Sequence, residues 1–319
     1  MMCNTVTDHL NGGGPTHMTI EHATLVASPY ARHGTGLRVA HDAAELLRAR
    51  GVEVEIIVGE DIADAADLAG KAARGDTDVL VVVGGDGTVR LTVEATIGSG
   101  KPLAVIPAGS GNDFARNLGI PLDPADAVEV ILAGHRRPID LGRVSFPDGQ
   151  TALFSTVAAT GFDAAVTARA IDMRRPRGQS RYTIAALLEL LALRSRHYQV
   201  RVDDQAVESD LVFAAIGNTT SYGGGMKITP QASITDGRLD VTLALNPPRL
   251  ARWTIARVFP KVFSGKHIDS PNVRTMRGAE VELYCDPPAL VSVDGDLVGE
   301  LPAVFEAVPH AIEVFAPAS

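Results

Sequence analysis

The sequence predicts an α/β unit built on a parallel sheet, followed by a β-rich, sandwich-like unit, with a cleft between the two. Three observations carry this expectation. Residues 23–118 alternate short apolar runs with helical periodicity, the pattern of a parallel sheet covered by helices. Two of the apolar runs end in glycine turns, at Gly84-Gly85-Asp86-Gly87-Thr88 and at Gly109-Ser110-Gly111-Asn112-Asp113, so both turns fall on the carboxyl edge of the sheet, where ligands bind. Beyond Pro138 the helical texture gives way to strand-like runs separated by turn residues.

In order, Ala23–Ala27 reads as a first strand, followed by a Ser28-Pro29 turn and a loop through Gly34 and Gly36. Leu37, Ala40, Ala44 and Leu47 share one helix face, which Gly51 closes. Val52–Val58 is a second strand and Ala63–Ala73 a helix. The run Asp78-Val79-Leu80-Val81-Val82-Val83 is a strand buried on both faces, with a helix over Thr88–Ile97 after its glycine turn. Leu103–Ile106 is the fourth strand; helices to Leu118 and over Asp123–Ala133 follow. These elements give a flexible leader over 1–20, a nucleotide-type unit over 21–138 and a β-rich unit over 139–310, with a last strand at 311–315 that can return to the first unit. The later strands are expected at 141–146, 152–158, 199–202, 211–215, 239–245, 281–284, 290–293 and 311–315, with helical insertions at 182–193 and 250–263.

The first glycine turn is the centre of the reading. A helix that starts at a glycine turn presents free N–H groups and a positive dipole end, a site suited to phosphate. Asp86 lies inside that site, and a bare carboxylate there repels phosphate, so a divalent cation between them completes the chemistry. The alternative is an aspartate that only caps the helix.

Other classes are excluded. The net charge of −9 argues against a general nucleic-acid binder. No apolar run is long enough to span a bilayer, and residues 1–19 lack the pattern of a secretory signal. Cys3 and Cys285 are the two cysteines, which fits a reducing cytoplasm and no structural disulfide. The chain has no G-x-x-x-x-G-K-[ST] loop, no G-x-S-x-G elbow and no zinc-ligand spacing. Charge is uneven, however: Arg169–Arg201 holds eight arginines against Asp172 and Glu189. Arg174, Arg175, Arg177 and Arg181 precede Ile184-Ala185-Ala186-Leu187-Leu188, while Trp253, Phe259 and Phe263 lie among Arg252, Arg257 and Lys261. Both combinations suit an anionic interface; the alternative is core leucines beneath solvated arginines.

Gly84–Thr88 and the block Ile106-Pro107-Ala108-Gly109-Ser110-Gly111-Asn112-Asp113-Phe114-Ala115-Arg116 together resemble the diacylglycerol kinase catalytic-domain family, which includes bacterial lipid kinases and sphingosine kinases. Later blocks match in order: Ile139-Asp140-Leu141-Gly142, Gly161-Phe162-Asp163-Ala164, Gly217-Asn218, Tyr222-Gly223-Gly224-Gly225-Met226, Asp236-Gly237-Arg238-Leu239-Asp240 and Val293-Asp294-Gly295-Asp296. The resemblance implies transfer of the ATP γ-phosphoryl group to a lipid hydroxyl, most directly that of diacylglycerol. It implies nucleotide contacts at Gly84, Gly85, Asp86, Gly87, Thr88, Gly109 and Ser110, catalytic Mg²⁺ held through water by Asp86, and Asp296 as the catalytic carboxylate. It also implies a structural metal at Asp236 with the carbonyls of Ser233 and Arg238; a plain Asp-Gly turn is the other reading. The implied partner is a lipid at the membrane surface, with peripheral contact on the inner face and a homodimer within scope. A catalytically weak nucleotide- or lipid-binding homologue and an NAD kinase-like enzyme are the alternatives. The chain departs from the pattern in having Ser28 where asparagine is usual, Gly59 where threonine is usual, Arg90-Leu91 in place of Asn-Glu, and Asp296 in place of glutamate.

Overall fold

The structure, a computed structural model, describes residues 20–28, 36–173, 184–185, 188–189, 192, 195–245 and 257–318. Residues 1–19 and 29–35, most of the helix expected over 182–193, and Arg174, Arg175, Arg177, Arg181, Ala186, Leu187, Arg252 and Trp253 lie outside the described residues, while Gly36, expected in a loop, is already helical.

Four strands form a parallel core: β1 (His22–Ala27), β2 (Glu53–Val58), β3 (Val79–Gly84) and β4 (Leu103–Pro107), in spatial order β2-β1-β3-β4. All six residues of β3 are buried, which explains its unbroken Val/Leu run. The covering helices are α1 (Gly36–Arg48), α2 (Ile62–Ala73), α3 (Asp86–Thr96), α4 (Asp113–Leu118) and α5 (Pro124–Leu132). α1 packs beside α5, and α2 beside α3. Asp61 caps α2 through the Asp64 N–H, and Asp123 caps α5, with Pro124 in the first turn where a missing N–H costs nothing. One expectation fails: Leu37 is exposed, because the buried face of α1 is set by Val39, Ala40, Ala43, Ala44 and Leu47, and Leu37 lies off it in the first turn.

The second part contains β5 (Arg136–Ser145), β6 (Thr151–Phe154), β7 (Val157–Gly161), α6 (Phe162–Asp172), β8 (Arg196–Val202), β9 (Gln205–Gly217), β10 (Leu239–Leu245), β11 (Val273–Gly278), β12 (Glu280–Asp286), β13 (Leu290–Val293), β14 (Asp296–Glu300) and β15 (Ala303–Phe315). The strand expected over 152–158 is two strands, divided at Ser155 and Thr156. The helix expected over 250–263 is, in its described end, α-helical at Arg257 and Val258 and then a 3₁₀ segment at Phe259–Ser264.

Hydrogen bonding is continuous through the molecule, because β15 joins both parts. Its end pairs parallel with β4 through Val314 and Leu103, while along its length it runs antiparallel to β5 and β12. β5 itself runs through Pro138, which sits exposed on the strand. Among the described residues, beside two small clusters around Ile228 and around Ala170, the apolar side chains nevertheless divide into two large cores. One is built on β1–β4 and their helices; the other contains Phe154, Tyr198, Leu211, Leu283 and Phe305. Where β5 and β15 lose register between Val308 and Ile312, the fully buried Asp140 carboxylate accepts the His310 N–H at 2.8 Å and the Gly237 N–H at 2.6 Å. A buried anion is tolerated when such donors surround it.

Phe305 has no exposed surface and belongs to the second core. Phe305→Ala is expected to cost about 3–5 kcal/mol, read as a fall in the urea midpoint, from lost burial and the cavity left behind. Tyr284→Ala, on an exposed position, should lie within about 0.5 kcal/mol of the parent.

Candidate nucleotide and phosphoryl-transfer site

The two glycine turns meet at the carboxyl ends of β3 and β4. The Ala108 N–H donates to the Gly84 carbonyl at 2.8 Å, and the backbones close further at Gly85 and Gly109. A Cβ on Gly109 would stand 2.4 Å from the Gly85 Cα, so no other residue fits without moving a turn. Asn112, in the left-handed conformation at φ 54°, holds the second turn by accepting from the Gly109 N–H and donating to the Gly109 carbonyl. Gly85 precedes α3, in which the N–H groups of Asp86 and Gly87 have no intrahelical partner while that of Thr88 already donates to the Gly85 carbonyl. Gly87 and Ser110 are exposed beside this helix start, and the Thr88 side chain folds back over Gly84.

Carboxylates crowd the junction. Asp86 Oδ1 accepts from the Asp113 N–H at 2.8 Å and the Phe114 N–H at 3.4 Å. Burial raises the Asp86 pKa to about 6; the neighbouring Asp113 adds to the rise, the two backbone donors oppose it, and Asp294 contributes least. Asp113 is itself buried, and its oxygens accept the Gly224 N–H at 2.7 Å and the Gly225 N–H at 2.9 Å. One helical turn on, Asn117 Oδ1 accepts from the Thr220 N–H and hydroxyl, while its Nδ2 donates to the Ser221 carbonyl. α4 is thereby fastened to the Tyr222–Met226 loop of the second part. Among the described residues no group of three or more His, Cys, Asp or Glu side chains is placed to hold a metal by itself. A divalent cation here would therefore rest on Asp86 Oδ2, beside the gap left by the missing Cβ of Gly111, with phosphate and water oxygens completing its shell.

Across the junction stands the β13–β14 hairpin. Asp294 and Gly295 form its turn with φ of 49° and 90°, the conformation expected of an Asp-Gly type I′ pair. The Asp294 carboxylate accepts from the N–H and hydroxyl of Ser155, the N–H and hydroxyl of Thr156, and the Val157 N–H. That clasp is what divides β6 from β7. Asp296 begins β14, is half exposed, and lies 3.1 Å from Arg90 Nε of α3.

The structure thus brings together Gly84, Gly85, Asp86, Gly87, Thr88, Gly109 and Ser110, with Asp296 reaching the same helix through Arg90. Asp236, Ser233 and Arg238 lie elsewhere, beside the turn that Asp140 accepts. Asp236 Oδ1 accepts from the Arg238 N–H, and Oδ2 lies 3.7 Å from Arg277 Nη1, whose guanidinium also pairs with Asp240 and donates to the Gln231 carbonyl. The Asp236 turn therefore fits an ion pair with arginine better than an open ligand set, and no step is derived through a metal there. Residues that sequence reasoning left unassigned are Asp113, Asn117, Gly224, Gly225 and Asp294. All but Asn117 stood within recognised blocks, so the blocks were the available signal.

A family model described as diacylglycerol kinase catalytic domain matches residues 22–144, and one described as YegS C-terminal NAD kinase beta sandwich-like domain matches residues 156–316. A diacylglycerol kinase of Mycobacterium tuberculosis is 42% identical over 296 residues, covering 92% of this chain and 94% of its own length. A probable lipid kinase YegS-like of Pseudomonas aeruginosa is 32% identical over 274 residues, covering 85% and 87%. The crystal structure of a putative diacylglycerol kinase from Bacillus anthracis superposes with a TM-score of 0.77 at 20% identity, covering 94% of this chain and 98% of that one, a likeness of fold.

The raised Asp86 pKa gives a pH test on the ligand-free protein. A carboxylate whose folded pKa is raised contributes stability below its unfolded value, near 3.8, and loses it as pH rises through about 6. Asp86→Asn cannot ionise and keeps the acceptor oxygen. It should match the parent near pH 4 and exceed it above pH 6, by at most about 2–3 kcal/mol in chemical denaturation.

Proposed function

The chain belongs to the diacylglycerol kinase catalytic-domain family of lipid kinases, and from that premise we propose that it transfers the γ-phosphoryl group of ATP to the hydroxyl of diacylglycerol, giving phosphatidic acid. The observation that carries this reading is the excess of negative charge at a helix start built for phosphate. Asp86 and Asp113 lie together at the two glycine turns; burial is the main cause of the raised Asp86 pKa, repulsion from Asp113 adds to it, and a bound cation would relieve that repulsion. Mg²⁺ bound there would supply charge neutralisation to the phosphates. Asp86 would hold it, with Asp113 supporting Asp86. Backbone N–H groups of Asp86 and Gly87 at the α3 terminus orient the phosphate chain, with Gly85, Thr88, Gly109 and Ser110 lining it. The N–H groups of Thr88 and Gly109 are already given to the Gly85 carbonyl and to Asn112.

Transfer itself asks little covalent chemistry of the protein. The lipid oxygen bonds to the γ-phosphorus while the bridging oxygen–phosphorus bond to the leaving ADP breaks. The hydroxyl proton passes to the Asp296 carboxylate. Asp294 cannot do this, since its oxygens are already taken by donors from Ser155, Thr156 and Val157.

The substrate reaches the protein from a bilayer, and peripheral contact is part of the proposal. Among the described residues no helix is long and apolar enough to cross a membrane. Phe263 is 55% exposed and follows exposed Arg257 and Lys261, an apolar tip with basic flanks suited to anionic lipid.

Labelled ATP with mixed vesicles of diacylglycerol and anionic phospholipid tests the reaction. The parent protein should produce labelled phosphatidic acid, and NAD offered as acceptor should remain unlabelled; the reverse pattern overturns the reading. Asp296→Asn should lose about 100-fold or more in kcat with ATP affinity unchanged. Wild-type turnover in that variant removes Asp296 from the mechanism. Separately, Arg257→Glu/Lys261→Glu should weaken sedimentation with anionic vesicles, each basic residue being worth about 1 kcal/mol near such a surface.

A further inference from the structure

Arg90 has no place in the phosphate site or in the fold's cores, yet it makes the ion pair that connects α3 to the hairpin carrying Asp296. Its Nε lies 3.1 Å from Asp296 Oδ2 and its Nη1 lies 3.2 Å from Glu94 Oε1. The arginine side chain is 25% exposed and the aspartate 51%, so the guanidinium is the better buried member; its Nε makes no hydrogen bond, and it meets Asp296 as an ion pair. Among the described residues Arg90 is the ionic partner of Asp296. The hairpin backbone is fixed from the other side, through Asp294 and its donors at Ser155, Thr156 and Val157. Arg90 stands four residues after Asp86, one turn along the same face of α3. A side chain that starts from the phosphate-turn helix thus holds a carboxylate that starts from the opposite part of the molecule.

Resting on the reading of Asp296 as proton acceptor, we propose that Arg90 is its positioning residue: the guanidinium holds the short Asp296 carboxylate toward the phosphate turn of α3. Two departures noted in the sequence, the long residue at 90 and the short one at 296, are in contact, and the length of one offsets the shortness of the other. An ion pair this exposed adds little to folding. Misplacing a reacting group by about 1 Å, in contrast, can cost about 100-fold in rate. The pair should therefore register in kcat and scarcely in stability.

The test is steady-state kinetics with Mg·ATP and diacylglycerol vesicles on Arg90→Asn, Arg90→Lys, Asp296→Glu and the double variant Arg90→Asn/Asp296→Glu, with Tm measured on each. Arg90→Asn should lower kcat by about 10- to 100-fold, leave KM for ATP within about twofold and leave Tm unchanged. Arg90→Lys should restore part of the loss. The double variant should turn over faster than Arg90→Asn alone, because the longer carboxylate reaches without the guanidinium. Wild-type kcat in Arg90→Asn, a rise confined to KM for ATP, or a double variant no faster than Arg90→Asn overturns the proposal. Asp296→Asn separates the two levels. If it is inactive while Arg90→Asn is normal, positioning alone fails; if it retains turnover, the proton-acceptor reading fails first.

Discussion

The Asp113 carboxylate is the joint on which the arrangement depends. It lies at the start of α4, is almost completely buried, and accepts the Gly224 and Gly225 N–H groups of the second part. Its own N–H donates to Asp86 in the first glycine turn. One residue therefore sets the second turn against the first and docks the far loop onto both. Charged hydrogen bonds of this kind are worth about 1.5–3 kcal/mol each and lose that value if one partner is removed. The same contact crowds two carboxylates together, which contributes to the raised Asp86 pKa. The cohesion of the two parts and the concentration of negative charge at the site thus share one cause.

β15 supplies the second constraint. A strand that pairs with β4 at one end and with β12 at the other makes the two cores parts of one hydrogen-bonded frame. Its irregular middle lies where Asp140 accepts from His310 and from Gly237. The glycine turns and the β13–β14 hairpin are then held from opposite sides of a rigid framework. Short side chains can bridge between them, which is why an aspartate at 296 and a single arginine suffice for contact.

The central strands of the parallel sheet were legible because they are buried and end in glycine or proline. β3 and β4 read directly from Val79–Gly84 and Leu103–Pro107. The antiparallel part was legible only where a run stays apolar. β9 extends from Gln205, but its first half alternates with Glu208 and Asp210 and carries a half-exposed pattern, so only its buried end was readable. β11, with Arg274, Thr275 and Arg277 among its six residues, shows almost no apolar signal and exists because it pairs with β10. α6 was missed because Phe162–Asp172 follows a strand with no polar cap, only Gly161. Of the site, the glycine turns and Asp86 were legible as local motifs. The Arg90–Asp296 and Asp113–Gly224 pairs were not, since each joins residues brought together only by the tertiary fold.

The four carboxylates at the junction sort by their remaining lone pairs. An ionised carboxylate offers about four acceptor sites. Asp294 takes five donors on its two oxygens and has none left, so it serves the hairpin and nothing else. Asp113 has one N–H on each oxygen, both from the second part, and is committed to docking. Asp86 takes both its backbone donors on Oδ1, which leaves Oδ2 facing the space kept open at Gly111. Asp296 is bound to a guanidinium on one side and is half exposed on the other. An oxygen facing an unfilled polar space suits a cation, and a half-exposed carboxylate held by one ion pair suits a proton that must arrive and leave. The division of labour among chemically identical groups follows from which N–H groups the backbone has already spent on each.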